Sequence, residues 1–123
     1  MVMVKITLDA CGERLMKETD IVKQILIGIG REFPMIRAWR QNTGATVNPN
    51  GQFVKFGIPG QADISGIMQD GRRLEIEVKR PGGKISDDQF SFKKMIQSHE
   101  GLYFLVYSWE ETRDALSKHI ILW

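Results

Sequence analysis

The sequence predicts one α/β domain over residues 1–123, in which helices flank a mixed β-sheet. Hydrophobic residues recur at helical spacing early in the chain, alternating strand-like runs follow, and a helix, a strand and a helix complete the order. No repeat, low-complexity block or Pro/Ser-rich linker divides the chain. With 123 residues, 42% of them hydrophobic, there is enough apolar material for one core and too little length for two.

The first predicted elements are a short strand and a helix. Apolar residues occupy alternate positions of the strand: Val2, Val4, Ile6 and Leu8. Apolar residues then recur at helical spacing at Ile21, Val22, Ile25, Leu26 and Ile29. Pro34 ends this helix.

The middle of the chain predicts several strands. A strand over 36–41 leads into "NTGATVNPNGQ", which is rich in Asn, Gly and Pro and predicts a loop. Residues 53–56 form a further candidate strand. The runs "ADISGIM" (62–68) and "RRLEIEVK" (72–79), separated by "QDG", predict a β-hairpin.

The last third of the chain predicts a helix, a strand and a helix. Ser86 and Gln89 have the spacing of a capping box, which indicates a helix running towards His99. Gly101 ends it, and the apolar run 102–108 is typical of a strand. Residues 110–118 predict a helix, and "IILW" at 120–123 predicts a last short strand.

The second strand of the hairpin has an apolar and a charged face. Leu74, Ile76 and Val78 share one face, and Arg73, Glu75, Glu77 and Lys79 share the other. Taken alone, this pattern equally fits an ordinary half-buried strand with a solvated face. The position of Asp63 on the partner strand decides between that interpretation and a functional one.

The length of the hairpin turn fixes which side chains face each other. A two-residue turn would place Asp63 opposite Val78 and send its charge to the apolar face. A three-residue loop over 69–71, with Gly71 in the left-handed position, instead pairs Asp63 with Glu77 and turns every apolar residue the same way. We expect the second register because it buries no charge in the core.

Opposed carboxylates repel each other across a strand pair, so Asp63 and Glu77 need compensation. A divalent cation such as Mg²⁺ or Mn²⁺ would supply it, since these ions prefer oxygen ligands. The backbone carbonyl of Val78 is a possible further ligand, and Lys79 on the same face could act as a point charge near an attacking water.

Glu18 is a third candidate carboxylate. It falls in the middle of the apolar stripe of the first helix, so it is expected to point inward and to need a partner. The alternative is a helix that begins only at Thr19 or Asp20, which would leave Glu18 as an exposed acid favoured by the helix dipole.

Charge and cysteine content limit the class of protein. The net charge of +2 is too small to identify a nucleic-acid binder, although residues 31–94 hold 11 Lys/Arg against 7 Asp/Glu. On charge alone, a solvated surface is the simpler interpretation. The single Cys11 excludes an intramolecular disulfide and a Cys-based zinc cage, and no segment has the layout of a signal peptide or the length of a membrane span. We expect a soluble intracellular protein.

Four segments resemble a known nuclease family: "GIPGQADISG", "LEIEVK", "KISDDQFSFKKMI" and "GLYFLV". Together they resemble the VRR-NUC family, the virus-type replication-repair nucleases of the PD-(D/E)XK superfamily, over about residues 18–107. One departure is visible, because Ala62 stands where the superfamily's name has proline. That position supplies no metal ligand. The resemblance implies a restriction-endonuclease-like core and a Mg²⁺- or Mn²⁺-dependent phosphodiesterase acting on DNA.

The resemblance also implies roles for individual residues. Glu18, Asp63 and Glu77 would be metal ligands, and Lys79 would position or activate the nucleophilic water. Gln89 matches the common glutamine of the superfamily, although a capping-box glutamine needs no catalytic role.

Candidate DNA contacts lie on both sides of these residues. Arg40 and Asn42 resemble the family's Arg-x-Asn element, although an arginine that caps a loop carbonyl is the alternative. Arg80, Lys84, Lys93 and Lys94 are plausible contacts to the DNA backbone, and a solvated charged face is the alternative for them.

Stand-alone members of the family resemble compact junction nucleases, and a two-fold dimer would offer two active sites to paired strands. We therefore expect a homodimer that cuts branched DNA in the cytoplasm of a bacterial or phage-infected cell. A four-way (Holliday) junction is the first candidate substrate, and a flap or nicked duplex is the second. The alternatives are a non-catalytic DNA-binding module of the same fold and a purely structural or partner-binding domain.

Overall fold

A computed structural model describes residues 7–8, 14–42 and 44–120. It contains three helices, α1 (Glu18–Glu32), α2 (Asp87–Ser98) and α3 (Trp109–Ser117). The strands are β1 (Thr7–Leu8), β2 (Arg14–Leu15), β3 (Arg37–Arg40), β4 (Gly44–Val47), β5 (Phe53–Phe56), β6 (Ile64–Ile67), β7 (Arg73–Val78) and β8 (Leu102–Val106). The predicted α/β fold with a mixed sheet flanked by helices is confirmed.

The central sheet has four strands in the order β3-β6-β7-β8. Strand β6 is antiparallel to both β3 and β7, whereas β8 runs parallel to β7, with α2 in the connection between them. The first face of the sheet packs against α1 and α3, in a core that includes Ile25, Ile76 and Leu116. The second face packs against α2 through Phe92, Ile96 and Tyr103. The sheet is therefore the middle layer of three.

The β6–β7 hairpin has the predicted register. Ile64 pairs with Ile76 and Ser65 with Glu75, which places Asp63 opposite Glu77 one step further along. The Met68 N–H donates to the Arg72 carbonyl across the loop at 69–71, and Gly71 has a positive φ of 91°. A left-handed residue closes a three-residue hairpin loop, so glycine is needed there.

The charged face of β7 is not solvated. Glu75 is 0% exposed and Glu77 is 4% exposed, because α2 covers this side of the sheet. Leu74, Ile76 and Val78 are equally buried on the opposite side. The interpretation of β7 as a half-buried strand with a solvated face is therefore wrong.

The segment that was predicted to be a loop contains a strand. Residues 44–47 form β4, which pairs antiparallel with β5 in a two-stranded sheet, with Val47 opposite Phe53. Only residues 48–52 form the turn, where the Asn48 N–H donates to the Gln52 carbonyl. The prediction was wrong because the Asn, Gly and Pro residues belong to the turn itself, whereas the β-branched Thr46 and Val47 before it favour a strand.

The remaining elements follow the sequence closely. Helix α1 starts at Glu18, and Phe33 follows as its C-cap just before Pro34. Helix α2 ends at Ser98, one residue before His99. Helix α3 starts at Trp109, one residue before the predicted start. Strand β1 pairs with β2, while most of the strand predicted over 2–8 and residues 121–123 lie outside the described part of the chain.

Gly60 allows α2 to approach the loop that precedes Asp63. Its φ is +79°, and a Cβ at this position would lie 2.1 Å from the Asp88 carbonyl oxygen. Both the left-handed backbone and the close backbone contact exclude a larger residue. The sequence "GIPGQA" therefore fixes the start of α2 beside the β6–β7 hairpin.

Candidate metal and nuclease site

Asp63 lies directly before β6, at the edge of the hairpin. Its carboxylate Oδ2 accepts a hydrogen bond of 2.8 Å from the Val78 N–H. Its own carbonyl accepts from the Gln41 N–H at 2.8 Å, which connects the end of β3 to the same point. The Asp63 side chain thus takes the hydrogen bond from β7 that a backbone carbonyl would take if β6 extended further.

Glu77 is the most enclosed acid of this group. Its Oε1 accepts a 3.0 Å hydrogen bond from Gln89 Nε2 and lies 3.8 Å from the Lys79 ammonium. Its Oε2 is buried and accepts from no donor among the described residues; the neighbouring Asp63 carboxylate is itself an acceptor and can bond to Glu77 only through a shared proton. A buried acceptor without a partner is costly, so this oxygen indicates a site that gains from a bound proton or cation.

Gln89 fits both interpretations that the sequence left open, a helix cap and a residue of the candidate site. Its Oε1 accepts from the Ser86 N–H at 2.8 Å, while its backbone N–H donates to Ser86 Oγ at 3.2 Å, so the capping box is formed. The amide nitrogen is then directed to Glu77. One side chain caps α2 and also contacts the candidate site.

Glu18 is brought to the same end of β7. It is the first residue of α1 and is half-buried, and its Oε1 accepts from the Arg80 N–H at 3.3 Å. The alternative, a helix that begins only at Thr19 or Asp20 and leaves Glu18 as an exposed first-turn acid, is therefore wrong. The helix begins one residue earlier than that alternative requires, which directs the carboxylate to the backbone after β7.

Burial raises the pKa of Glu77 to about 8, and the negative charge of Asp63 adds to this effect. Lys79 acts in the opposite direction, and the charge of Glu18 raises the pKa further. Burial also raises the pKa of Tyr103, whose hydroxyl is buried without a hydrogen-bond partner in the described part of the chain. The charges of Asp63 and Glu18 therefore act on Glu77, although the three acids come from separate segments of the chain.

The fit to a divalent cation rests on the donor types. Within residues 7–8, 14–42 and 44–120, no three or more His, Cys, Asp or Glu side chains are grouped so that they could hold a metal ion as they stand. The unpaired Glu77 oxygen and the adjacent Asp63 carboxylate nevertheless match the oxygen ligands that Mg²⁺ and Mn²⁺ prefer. Asp63 and Glu77 would hold the ion, and Glu18 is a further carboxylate whose charge reaches Glu77. The Val78 carbonyl stays a prediction.

A second buried acid, which was not singled out in the sequence, lies two residues before Glu77. Glu75 accepts a 2.8 Å hydrogen bond from the Ser65 hydroxyl and a 2.7 Å hydrogen bond from the Arg73 guanidinium. Burial raises its pKa, and both donors oppose that shift. Unlike Glu77, this carboxylate has a donor on each oxygen, so it is stabilised without a cation.

A row of side chains across the sheet includes Glu75. Trp39, Ser65, Glu75 and Tyr103 are paired in turn across β3, β6, β7 and β8. The Arg73 guanidinium carbon lies 5.8 Å from the centre of the Trp39 ring, in cation–π contact. Two features of the sequence could have identified Glu75 as a buried acid: the register that places Ser65 opposite it, and the apolar residues of α2, which need a surface of the sheet to pack against.

The residues predicted to contact DNA lie on β3 and the residues that follow it, on the loop after β7 and on α2. Arg40 and Asn42 are exposed at the end of β3, where Arg40 is the register partner of Ile64 next to Asp63. Arg80 and Lys84 follow β7, and Lys93 lies half-buried in α2. Lys94 stacks over the Phe90 ring at 5.3 Å. Their roles stay predictions.

In comparisons with known proteins, no protein-family model and no curated protein matches this chain. The resemblance to the VRR-NUC family therefore stays a prediction that rests on the quoted segments. Across the described residues, no helix has both the length and the apolar character needed to cross a membrane.

Proposed function

We propose that this chain is a Mg²⁺- or Mn²⁺-dependent endodeoxyribonuclease with a PD-(D/E)XK core, which hydrolyses phosphodiester bonds in branched DNA. The observation that carries the proposal is the pair formed by Asp63 and Glu77. Glu77 retains a buried oxygen without a hydrogen-bond donor, and the acid beside it, Asp63, raises its pKa. A purely structural site would be expected to satisfy that oxygen, as Ser65 and Arg73 do for Glu75.

The residues of the candidate site would have different roles in hydrolysis. Asp63 and Glu77, with Glu18, would hold the ion, which when bound supplies an activated water and stabilises charge on the leaving oxygen. Gln89 donates to Glu77 Oε1 and leaves Oε2 as the oxygen available to a cation. Lys79 carries a positive charge at 3.8 Å from Glu77, where it can stabilise negative charge growing on a phosphate.

Substrate binding follows from the charges around these groups. Arg40, Arg80, Lys84 and Lys93 would neutralise phosphates of the DNA backbone, and the neutral amide of Asn42 would donate a hydrogen bond to one. The proposed active form is a homodimer, which offers two sites to the paired strands of a four-way junction. Recognition of DNA shape is the economical mode, since the described residues form no separate DNA-reading module such as a zinc finger.

The test is cleavage of a labelled four-way junction beside a linear duplex of the same sequence, with Mn²⁺, by wild type and Lys79→Ala. We expect junction-selective cutting that falls by about a hundredfold or more in Lys79→Ala. Lys118→Ala is the matched control, because it removes the lysine that follows α3 and should leave cutting unchanged. Junction binding without cutting would reject the enzyme in favour of a non-catalytic DNA-binding module, and cutting confined to one sequence in linear duplex would reject the branched substrate.

A further inference from the structure

The β4–β5 hairpin exposes apolar side chains on both of its faces. Phe53 is 71% exposed and Val47, its register partner, is 61% exposed. Val54 and Phe56 are exposed on the opposite face. An isolated two-stranded hairpin is marginal in water, and contiguous exposed apolar surface marks an interaction site.

The tip of this hairpin is held by its own hydrogen bonds. Asn48 Oδ1 accepts from the Asn50 N–H at 3.0 Å and from the Gln52 N–H at 2.8 Å. Its side-chain amide donates to Gln52 Oε1 at 3.0 Å, and Gly51 takes the left-handed conformation that the turn requires. The tip therefore presents Val47 and Phe53 in a preorganised arrangement, which lowers the entropy lost on binding.

The positive charge of the segment that contains the hairpin favours an anionic partner. Residues 33–62 contain three cations, Arg37, Arg40 and Lys55, and no Asp or Glu. Lys55 lies on the same face of the hairpin as Phe53, two residues away. An aromatic ring next to a lysine, without nearby acids in the segment, is the arrangement that binds a stacked base and its phosphate.

The base of the hairpin is attached to the candidate nuclease site. Strand β4 follows Arg40 and Asn42, and the chain after β5 returns to Asp63. The Gln41 N–H donates to the Asp63 carbonyl and joins the two ends of this excursion. Val47 and Phe53 lie at the other end of the strands, so a nucleic acid that is held at the tip and follows the strands to their base would reach the acids of the site.

We propose that Phe53, supported by Val47, stacks on an unpaired or unstacked base at the branch point of a DNA substrate, while Lys55 contacts the adjacent phosphate. This inference deepens the proposed function and rests on it. A second copy of the chain is a poorer occupant, because a two-fold contact between hairpins would bring two acid-free segments together and leave Lys55 without a partner.

The test measures binding without cleavage, in buffer containing EDTA. Fluorescence anisotropy compares a four-way junction with linear duplex of the same sequence, and a 2-aminopurine at the branch reports stacking. The variants are Phe53→Ala, Phe53→Leu and Phe53→Trp, and Ile27→Ala is the control because Ile27 is an exposed apolar residue of α1. Phe53 is exposed, so none of its substitutions removes core packing.

We expect Phe53→Ala and Phe53→Leu to weaken junction binding by about tenfold or more and to abolish the 2-aminopurine response. Duplex affinity should stay within about twofold, Phe53→Trp should retain both signals, and Ile27→Ala should match wild type. Retention of junction affinity and stacking signal in Phe53→Ala would overturn the inference, as would an equal loss on both substrates or the absence of DNA binding by wild type. A dimer that dissociates in Phe53→Ala with its stacking signal intact would assign the hairpin to a second copy instead.

Different results would refute the nuclease proposal and the stacking proposal. A protein that needs Phe53 for junction binding but cuts no DNA with Mn²⁺ would retain the stacking hairpin and lose the nuclease. A protein whose Lys79-dependent cutting and junction binding are indifferent to Phe53 would retain the nuclease and lose the stacking hairpin.

Discussion

Gln89 donates a 3.0 Å hydrogen bond from its side-chain amide to Glu77 Oε1, while its own Oε1 accepts from the Ser86 N–H at the start of α2. The cap determines which end of the amide is directed to Glu77, because the carbonyl end is already used by Ser86. The orientation of a buried acid in the sheet is therefore linked to the N-terminus of the helix that covers it.

Gln89→Ala should lower the free energy of unfolding by more than Ser86→Ala does. Loss of the Ser86 cap is expected to cost about 1 kcal/mol. Loss of Gln89 removes its part of the capping box and also a donor to the buried Glu77, for which a further 1–3 kcal/mol is the usual range. Urea denaturation of both variants at pH 7 gives the comparison, and equal losses would show that the contact to Glu77 contributes nothing.

The stability of the metal-free protein should fall as pH rises from about 4.5 through 8. The pKa of Glu77 is raised to about 8 in the folded state, so folding favours its protonated form. This contribution is fully present below the unfolded pKa and is lost as pH rises through the folded pKa. Urea midpoints between pH 5 and 9 provide the measurement. In Glu77→Gln the slope should be smaller than in wild type, and parallel curves would contradict the assignment to Glu77.

Divalent-cation binding should release protons at pH 7 and fewer at pH 9. A carboxyl with a pKa of about 8 is largely protonated at pH 7 and must ionise before it can bind a cation. Calorimetric titration with Mn²⁺ in two buffers of different ionisation enthalpy measures the proton count. Glu75→Gln is the control for Asp63→Asn, since Glu75 is an acid on the same sheet that is more buried than Asp63 but already has a donor on each oxygen. Binding that survives Asp63→Asn unchanged would place the ion elsewhere.

The register of the β6–β7 hairpin could be predicted from the sequence because burial of the apolar side chains is enough to select it. Only the three-residue loop turns Ile64 and Ile76 to the same side and keeps Asp63 out of the core. The same constraint places Asp63 opposite Glu77. Period-2 alternation and one glycine turn were sufficient for that part of the candidate site.

The burial of the sheet face that packs against α2 could not be predicted in the same way. Alternation shows that Glu75 and Glu77 share a face, but it cannot show that α2 covers them. Their burial depends on a long-range contact made by Phe92 and Ile96, and the charges on β7 predict the opposite. The same limit applies to β4, whose four residues are too few for their alternation to outweigh the turn residues that follow.

Gly60→Ala should destabilise the fold much more than Gly82→Ala. Both glycines have positive φ, so both substitutions incur about 1–2 kcal/mol of backbone strain. Only at Gly60 would the new Cβ lie 2.1 Å from the Asp88 carbonyl oxygen, whereas nothing lies within 4 Å of the corresponding position at Gly82. Thermal unfolding of the two variants isolates the contact with α2. A similar loss for both would mean that α2 moves away without cost.

Removing the Arg73 guanidinium should destabilise the protein through Glu75, and removing the charge of Glu75 should relieve that effect. Arg73→Met leaves a fully buried carboxylate with Ser65 as its remaining donor, for which a loss of about 1–3 kcal/mol is expected, toward the lower end because Arg73 is partly exposed. In the double variant Arg73→Met/Glu75→Gln the neutral amide no longer needs the cation, so the combined loss should be smaller than the sum of the single losses. A double-mutant cycle by urea denaturation measures the coupling. Strict additivity would contradict the pairing and would leave the Trp39 contact as the only role of Arg73.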